Sequence, residues 1–285
     1  MKKIGLVTCE RLPQLIEADQ QIIPFFSELG IDAEPVIWDN PEVNWARFDA
    51  LIIRNTWDYY VKADAFQAWL TELENLGIPL WNSIETIRRN AHKFYLQSFE
   101  QQGVPIIPTL FSPKGEEAIS WKQLKDKGWS EIVVKPAVSA GSYETHRLNV
   151  TEINEKDWAT LVGETDQLIQ PFLPEIMSDG EYSLIYFNKK LSHAIKKLPK
   201  TGDFRVQRQY GGQYAPFVPS LAHLEAAEAV LAQFPEPLLY ARVDGVFMQG
   251  NFHLMEIELI EPDLYFEFGE QFARNFTQAA ITLIH

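Results

Sequence analysis

The segment from Asp244 to Ala273 carries seven carboxylates (Asp244, Glu256, Glu258, Glu261, Asp263, Glu267, Glu270) and no Lys or Arg. It is not a loose acidic tail, because Glu256 and Glu258 alternate with Met255, Ile257 and Leu259. Side chains alternate across a strand, so the two glutamates share one face and the apolar residues the other. Gly250-Asn251, between two strand-like runs, is a hairpin turn signal, and the hairpin would set Asp244 beside the glutamate pair. Three carboxylates in one small volume repel one another unless a cation intervenes or one keeps its proton. All-oxygen sets of this kind suit hard cations such as Mg²⁺, usually alongside phosphate oxygens. A solvated acidic face is the plainer alternative for a charge run. The apolar alternation, and phosphate-compatible segments elsewhere in the chain, favour the cation site.

Residues 1–82 read as alternating strands and helices. Strand candidates are 4–8, 33–38, 50–53 and 79–81. Helical runs are 17–29, interrupted by Pro24, and 63–76, stopped by Gly77. Strands separated by helices imply a parallel sheet covered on both faces, with ligands at the loops beyond the strand C-termini. Those loops are 9–13 and Arg54-Asn-Thr-Trp-Asp-Tyr-Tyr60. Ser83 is a good N-cap for a helix running to about 102. Short strands over 106–111, 131–135 and 167–172 and a helix near 155–161 follow. Strands at 181–188 and 191–197, a polar loop at 200–213, a helix at 221–233, the acidic hairpin and a terminal helix at 265–284 complete the chain.

Glu131-Ile-Val-Val-Lys-Pro136 runs into Ala137-Val-Ser-Ala-Gly-Ser142. Gly141, flanked by Ser139, Ala140 and Ser142, lets successive backbone N–H groups approach an anion. Lys135, at the strand end, would reach the same anion. The order of a Walker A loop is missing, and an ordinary loop start is the plainer reading of this stretch alone. Between Lys189 and Arg208 seven basic residues face one acid, Asp203. Lysines guarding a strand edge account equally well for Lys189 and Lys190. Arg205, in a Gly-rich loop, looks more like a clamp for a polyphosphate or carboxylate.

The chain of 285 residues allows one large domain or two to three smaller ones. A net charge of −14 argues against nucleic acid or an anionic membrane as the main partner. A single cysteine, Cys9, excludes an internal disulfide. The apolar run after Met1-Lys-Lys is too short for a signal-peptide core, and no window reaches the length of a membrane span. The expectation is a soluble cytoplasmic protein.

Eight motifs in order resemble the ATP-grasp superfamily of carboxylate–amine ligases. They are Asn90-Ala-His-Lys93, Val133-Val-Lys135-Pro, Ser139-Ala-Gly-Ser142, Leu168-Ile-Gln-Pro-Phe-Leu-Pro174, Gly180-Glu-Tyr-Ser183, Phe204-Arg205, Arg242-Val-Asp244, and Glu256-Ile-Glu258 with Glu261-Pro262. The Arg54-Asn-Thr-Trp-Asp-Tyr59 loop and the stretch Leu254 to Pro262 look like the cycloserine-forming cyclo-ligases; bacterial glutathione synthetase-like proteins are also similar. The resemblance implies an α/β fold: a Rossmann-like N-terminal domain (1–84), then a two-subdomain α+β ATP-grasp fold with a linking helix and small subdomain (85–175) and a C-terminal subdomain holding a metal (176–285).

By the same resemblance, Lys93 and Lys135 would contact ATP phosphates, Lys135 also nearing the adenine. Ser139, Gly141 and Ser142 would cover the phosphates. Gln170 and the backbone near Phe172 and Leu173 would read the adenine edge, and Glu181 would hold the ribose. Arg205 and Arg242 would be catalytic, binding the γ-phosphate and the developing acyl phosphate. Asp244, Glu256 and Glu258 would hold one or two Mg²⁺. The superfamily usually has Asn where Glu258 stands, and the added charge would tighten Mg²⁺ or favour Mn²⁺. Glu261 replaces a usual small residue, which points to an amine contact. Arg54, Thr56, Asp58 and Glu261 are the substrate candidates, with Arg54 and Asp58 set to hold an amino acid's carboxylate and ammonium. Trp57 and Tyr59 suit stacking on a substrate or packing equally well.

The implied activity is ATP-dependent amide formation through an acyl phosphate, releasing ADP and phosphate. The substrates would be a small carboxylate and an amine, supplied by an amino acid or peptide. Intramolecular cyclisation and a catalytically silent ATP-binding regulatory protein are the alternatives. Relatives that form homodimers or homotetramers imply the same assembly here. Cys9 reads as a pocket or core residue, and no nearby base can be assigned to activate it. His92 reads as an exposed helix residue, and His146, His193 and His253 lack metal-ligand spacing.

Overall fold

The computed structural model describes residues 2–284. Strands β1 (Lys2–Thr8), β2 (Ile31–Ile37), β3 (Ala50–Asn55) and β4 (Leu80–Trp81) form a parallel sheet in the order β2-β1-β3-β4. Every residue of β3 is buried, as a strand covered on both faces requires. The helix Ala63–Leu76 ends where Gly77 adopts a left-handed φ of 67°.

A second, antiparallel sheet comprises β5 (Leu110–Ser112), β6 (Glu131–Pro136), β7 (His146–Asn149) and β8 (Gln167–Pro171), in the order β5-β8-β6-β7. The third, also antiparallel, comprises β9 (Glu181–Phe187), β10 (Lys190–Leu198), β11 (Gln213–Pro216), β12 (Tyr240–Met248) and β13 (Asn251–Glu258), in the order β11-β10-β9-β12-β13. This is the ATP-grasp architecture, a parallel N-terminal sheet followed by two antiparallel ones. Strands β7 and β11 are short and lie at sheet edges, where their largely exposed sequences carry little period-two signal.

Several elements depart from the sequence expectation. The helix expected over 83–102 is two helices, Ile84–Asn90 and Tyr95–Gln101. Tertiary bonds hold the break open: Lys93 N–H donates to Ala137 O at 2.9 Å, and Asn90 Nδ2 donates to Ile257 O at 2.8 Å. The run 17–29 breaks at Gln21 rather than at Pro24. Pro24 falls in the first turn of the helix Ile22–Glu28, where its missing N–H has no intrahelical partner to lose. Only the end of 106–111 joins a sheet as β5; Ile106 instead bridges Leu254 of β13. The terminal helix begins at Glu270, after a short 3-10 turn at Phe266–Phe268.

The first and third sheets share a core. Ile4, Leu6 and Ile52 belong to the same buried cluster as Ile185, Ile195, Tyr240 and Phe276. The second sheet has a core around Trp158, Ile132, Val134 and Ile169, while its Leu168 packs with Tyr182, Leu184 and Val243 of the third. No helix of the described residues is long and apolar enough to cross a membrane.

Candidate active site

A cavity of about 500 Å³ lies between the second and third sheets, with Trp57, Tyr59 and Tyr60 of the N-terminal segment also in its lining. This size is typical of a cleft for a small ligand or nucleotide. Its acidic wall follows from the register of β12 and β13, which sets Arg242 opposite Glu258 and Asp244 opposite Glu256. A register shift between Asp244 and Gly245 completes the alignment. One carboxylate oxygen from each of Asp244, Glu256 and Glu258 lies within 4.8 Å of the others. Adjacent on β9, Ser183 Oγ donates to Asp244.

Cations are built into this wall. Arg242 donates from Nε to both Asp244 oxygens at 3.1 and 3.0 Å and from Nη2 at 2.9 Å, and also to Glu258. Lys197 Nζ pairs with Glu181 and stands 3.6 Å from Asp244. Lys93 Nζ stands 3.7 Å from Glu256. Burial alone would raise all three carboxyls. Arg242 and Lys197 nevertheless hold Asp244 low, and Lys93 and Lys135 hold Glu256 low. Glu258 is pushed up to about 8 by burial, which outweighs Arg242 and is reinforced by Glu256 and Asp244. The protein's own cations therefore satisfy two carboxylates and leave the third short of positive charge. An oxygen set with that deficit fits a divalent cation.

The basic side of the cavity is equally specific. Lys93, released from helical geometry by the break, donates from Nζ to Ser139 O at 2.6 Å and Ser139 Oγ at 3.3 Å. Burial lowers Lys135, while Glu256 pulls it back up. Gly141 and Ser142 adopt φ of 59° and 63°, so consecutive N–H groups turn the same way. Gln209 Nε2 donates to Gly141 O at 3.1 Å, tying this loop to the loop after β10.

Gln170, Phe172 and Leu173 line the far end. Phe172 N–H is already given to Glu131 O at 2.9 Å, and the Arg147 guanidinium covers the Phe172 ring at 3.5 Å. Glu181 is buried and raised by burial, with Lys197 as its partner. Arg205 is turned onto Asp203 through bonds of 3.0 and 2.8 Å and lies over the Tyr210 ring at 3.6 Å. In this arrangement its fork is occupied by Asp203.

The structure corrects the substrate residues expected in the 54–60 loop. Arg54 is fully buried and outside the cavity lining. Its Nε donates to Asp19 at 3.1 Å and its Nη2 to Pro262 O at 2.9 Å. A strand-end arginine has here become the counter-ion of a buried aspartate, because the third sheet and its following loop cover the strand end. Thr56 is also fully buried and outside the lining. Asp58 faces away, accepting from Trp38 Nε1 at 2.9 Å and Lys62 Nζ at 2.8 Å. The aromatics of the same loop, Trp57, Tyr59 and Tyr60, line the cavity instead, together with Glu261. Cys9 is a buried core residue among Val7, Trp38 and Ile53. Sequence reasoning gave no role at the site to Lys197, Asn90 or Tyr265. Lys197 stood unremarked in the basic segment, and the other two reach the site only through tertiary contacts.

Comparison with known proteins agrees with this architecture. Residues 4–82 match the family model described as D-cycloserine synthetase DcsG, N-terminal domain. The chain is 29% identical to the cycloserine biosynthesis protein DcsG of Streptomyces lavendulae, over 94% of this chain and 92% of that protein. It is 25% identical to a glutathione synthetase of Nitrosomonas europaea, over 82% of this chain and 71% of that one. The crystal structure of D-cycloserine synthetase DcsG superposes with a TM-score of 0.86 at 26% identity, covering 99% of this chain and 100% of that chain. D-alanine–D-alanine ligase from Bacillus anthracis, complexed with ATP, shares the fold at a TM-score of 0.71 and 15% identity, covering 99% of this chain and 95% of the other. With these sheets in this order and full-length likeness to such enzymes, the chain is a homologue of the ATP-grasp carboxylate–amine ligases.

Proposed function

We propose that the chain is an ATP-dependent carboxylate–amine ligase working through an acyl phosphate. The observation that carries this reading is the meeting of Asp244, Glu256 and Glu258 with Arg242, Lys93 and Lys135 in one cavity. In the first step a carboxylate oxygen of the acyl donor attacks the γ-phosphorus of ATP, the bond to the β–γ bridging oxygen breaks, and ADP leaves. In the second an amine nitrogen attacks the acyl carbon, phosphate leaves, and the nitrogen gives up a proton. Such transfer needs positioning and charge neutralisation rather than a covalent nucleophile. Lys93, Lys135 and the N–H groups of Ser139 to Ser142 would hold the phosphates, and Arg242 would meet the charge on the transferred group. Gln170 and the Phe172–Leu173 backbone would border the adenine, and Glu181 the ribose. Arg205 would serve the γ-phosphate after exchanging Asp203 for it. Asp244, Glu256 and Glu258 would hold Mg²⁺, or Mn²⁺, which when bound offsets charge on the phosphates.

The full-length likeness to D-cycloserine synthetase DcsG favours a second form of the same chemistry, in which one small molecule supplies both acyl group and amine and closes a ring. The test is Mg²⁺-dependent ADP release across a panel of amino acids and dipeptides, with hydroxylamine to trap the acyl phosphate and Lys135→Ala as control. ADP with a hydroxamate that disappears in the variant is expected. ADP release from one donor, without added amine or hydroxylamine and with loss of one water from the donor's mass, identifies ring closure. ATP binding without ADP release from any donor would favour a silent binding protein.

A further inference from the structure

We propose that Glu261, with Asp263 beside it, determines specificity by selecting an acyl donor that carries a protonated amino group. The inference rests on the ligase reading and names its substrate class. Both side chains belong to the cavity lining, as does Trp57, which is bonded to Glu261. Glu261 is only 8% exposed, a burial that a carboxylate rarely accepts without a partner. Among the described residues it has no ion pair, and no side-chain hydrogen bond is made to it. Burial pushes its carboxyl up to about 7, against the pull of Lys93, its own backbone N–H and Arg242, none of which forms an ion pair with it.

The geometry around it is rigid. Trp57 Nε1 donates to Glu261 O at 2.9 Å, so the backbone is anchored while the carboxylate is left over. Asp263 gives one oxygen, Oδ1, to Tyr265 N–H at 2.9 Å, and its backbone carbonyl accepts from Arg242 Nη1 at 3.1 Å. The cations that could otherwise neutralise Glu261 are committed elsewhere. Lys93 is bound to Ser139 and Arg242 to Asp244 and Glu258. Arg11, also in the lining, gives Nη2 to Trp57 O at 3.3 Å. A built cavity that holds an unanswered buried carboxylate beside a second one selects a ligand bringing a positive charge with N–H donors, since the alternative is a buried charge without a partner. A neutral or anionic group at that place would repel or leave both carboxylates unsolvated.

The experiment compares matched pairs on the ATP-loaded protein: alanine with lactate, serine with glycerate, and 2,3-diaminopropionate with serine, in both enantiomers. The rise in unfolding temperature is read first, and ADP release second. At least one amine-bearing member should bind roughly 10-fold or more tightly than its partner. Glu261→Gln should abolish that preference while the shift produced by ATP alone is retained, and Asp263→Asn should weaken it. Equal response to both members of every pair, or a preference that survives Glu261→Gln, overturns the proposal. Amine preference without ADP release leaves this inference standing and counts against the ligase. ADP release with no amine preference does the reverse.

Discussion

At the scale of single residues, an ionised side chain belongs to the core at Arg54 and to the cavity at Glu256. Arg54 and Asp19 are both fully buried and paired at 3.1 Å. Removing one partner of such a pair strands the other, at a cost of about 3–5 kcal/mol. Arg54→Ala should therefore lower stability by about that amount in denaturant unfolding, with little change in KM for substrate in whatever protein remains folded. The pH dependence has a definite sign. Burial raises the Asp19 carboxyl, and Arg54 opposes that rise. A carboxyl raised in the folded state favours folding in its protonated form, so stability is lost as pH climbs from the unfolded value through the folded one. Without Arg54 the interval widens, and the variant should lose more stability than the parent as pH rises above about 4. Glu256 behaves otherwise, since it faces the cavity and Lys93 and Lys135 hold it ionised. Glu256→Gln should reduce ADP release by roughly 100-fold or more, with far-UV circular dichroism unchanged. Activity near that of the parent would remove Glu256 from the site.

At the scale of elements, what was legible in the sequence depended on whether a signal was local. The β12–β13 hairpin was legible because alternation and Gly250-Asn251 specify strand faces and turn, and Asp244 does stand opposite Glu256. Lys93 was nameable from its motif, but the helix break that frees it was not, since bonds to Ala137 and Ile257 cause the break. Arg54 misled because a strand-end charge looks exposed until the distant Pro262 is seen to cover it. The hairpin carries a further device that no pattern reveals. β12 and β13 shift register between Asp244 and Gly245, and a Cβ on Gly245 would lie 2.3 Å from Phe252 Cζ and 2.5 Å from His253 O. The His253 carbonyl belongs to the paired strand and has little freedom to retreat. Gly245→Ala should therefore cost about 1–3 kcal/mol and reduce turnover beyond what the lost stability explains, because the shift aims Asp244 at Glu256. A denaturant midpoint and an ADP-release rate, measured on the same preparation well below the melting temperature, check both parts.

At the scale of the whole molecule, with boundaries proposed at residues 84 and 175, side-chain bonds join the first segment to the third. Asn82 is fully buried at the first of these boundaries. Its Nδ2 donates to Tyr240 O at 2.9 Å and to Leu259 O at 2.8 Å, while its Oδ1 accepts from Leu239 N–H at 2.7 Å. The Tyr240 hydroxyl lies 3.0 Å from Ile53 O and 2.8 Å from Ile260 O, joining β3 to the loop after β13. With the shared apolar cluster, these bonds tie the substrate-side loop 57–60 to the acidic wall, so that Trp57 and Glu261 keep a common frame. The first and third sheets should accordingly unfold as one cooperative unit, while the second sheet, most of whose buried side chains pack in a smaller cluster, opens at lower free energy. Asn82→Ala strands three buried backbone groups and should cost roughly 2–5 kcal/mol. Hydrogen exchange resolved by segment is the measurement. In the variant, protection over 2–81 and over 181–258 should fall together and by the same amount, with 110–171 little changed. Loss confined to 2–81 would show that the N-terminal sheet unfolds alone, and would leave the alignment of Trp57 with Glu261 to some other contact.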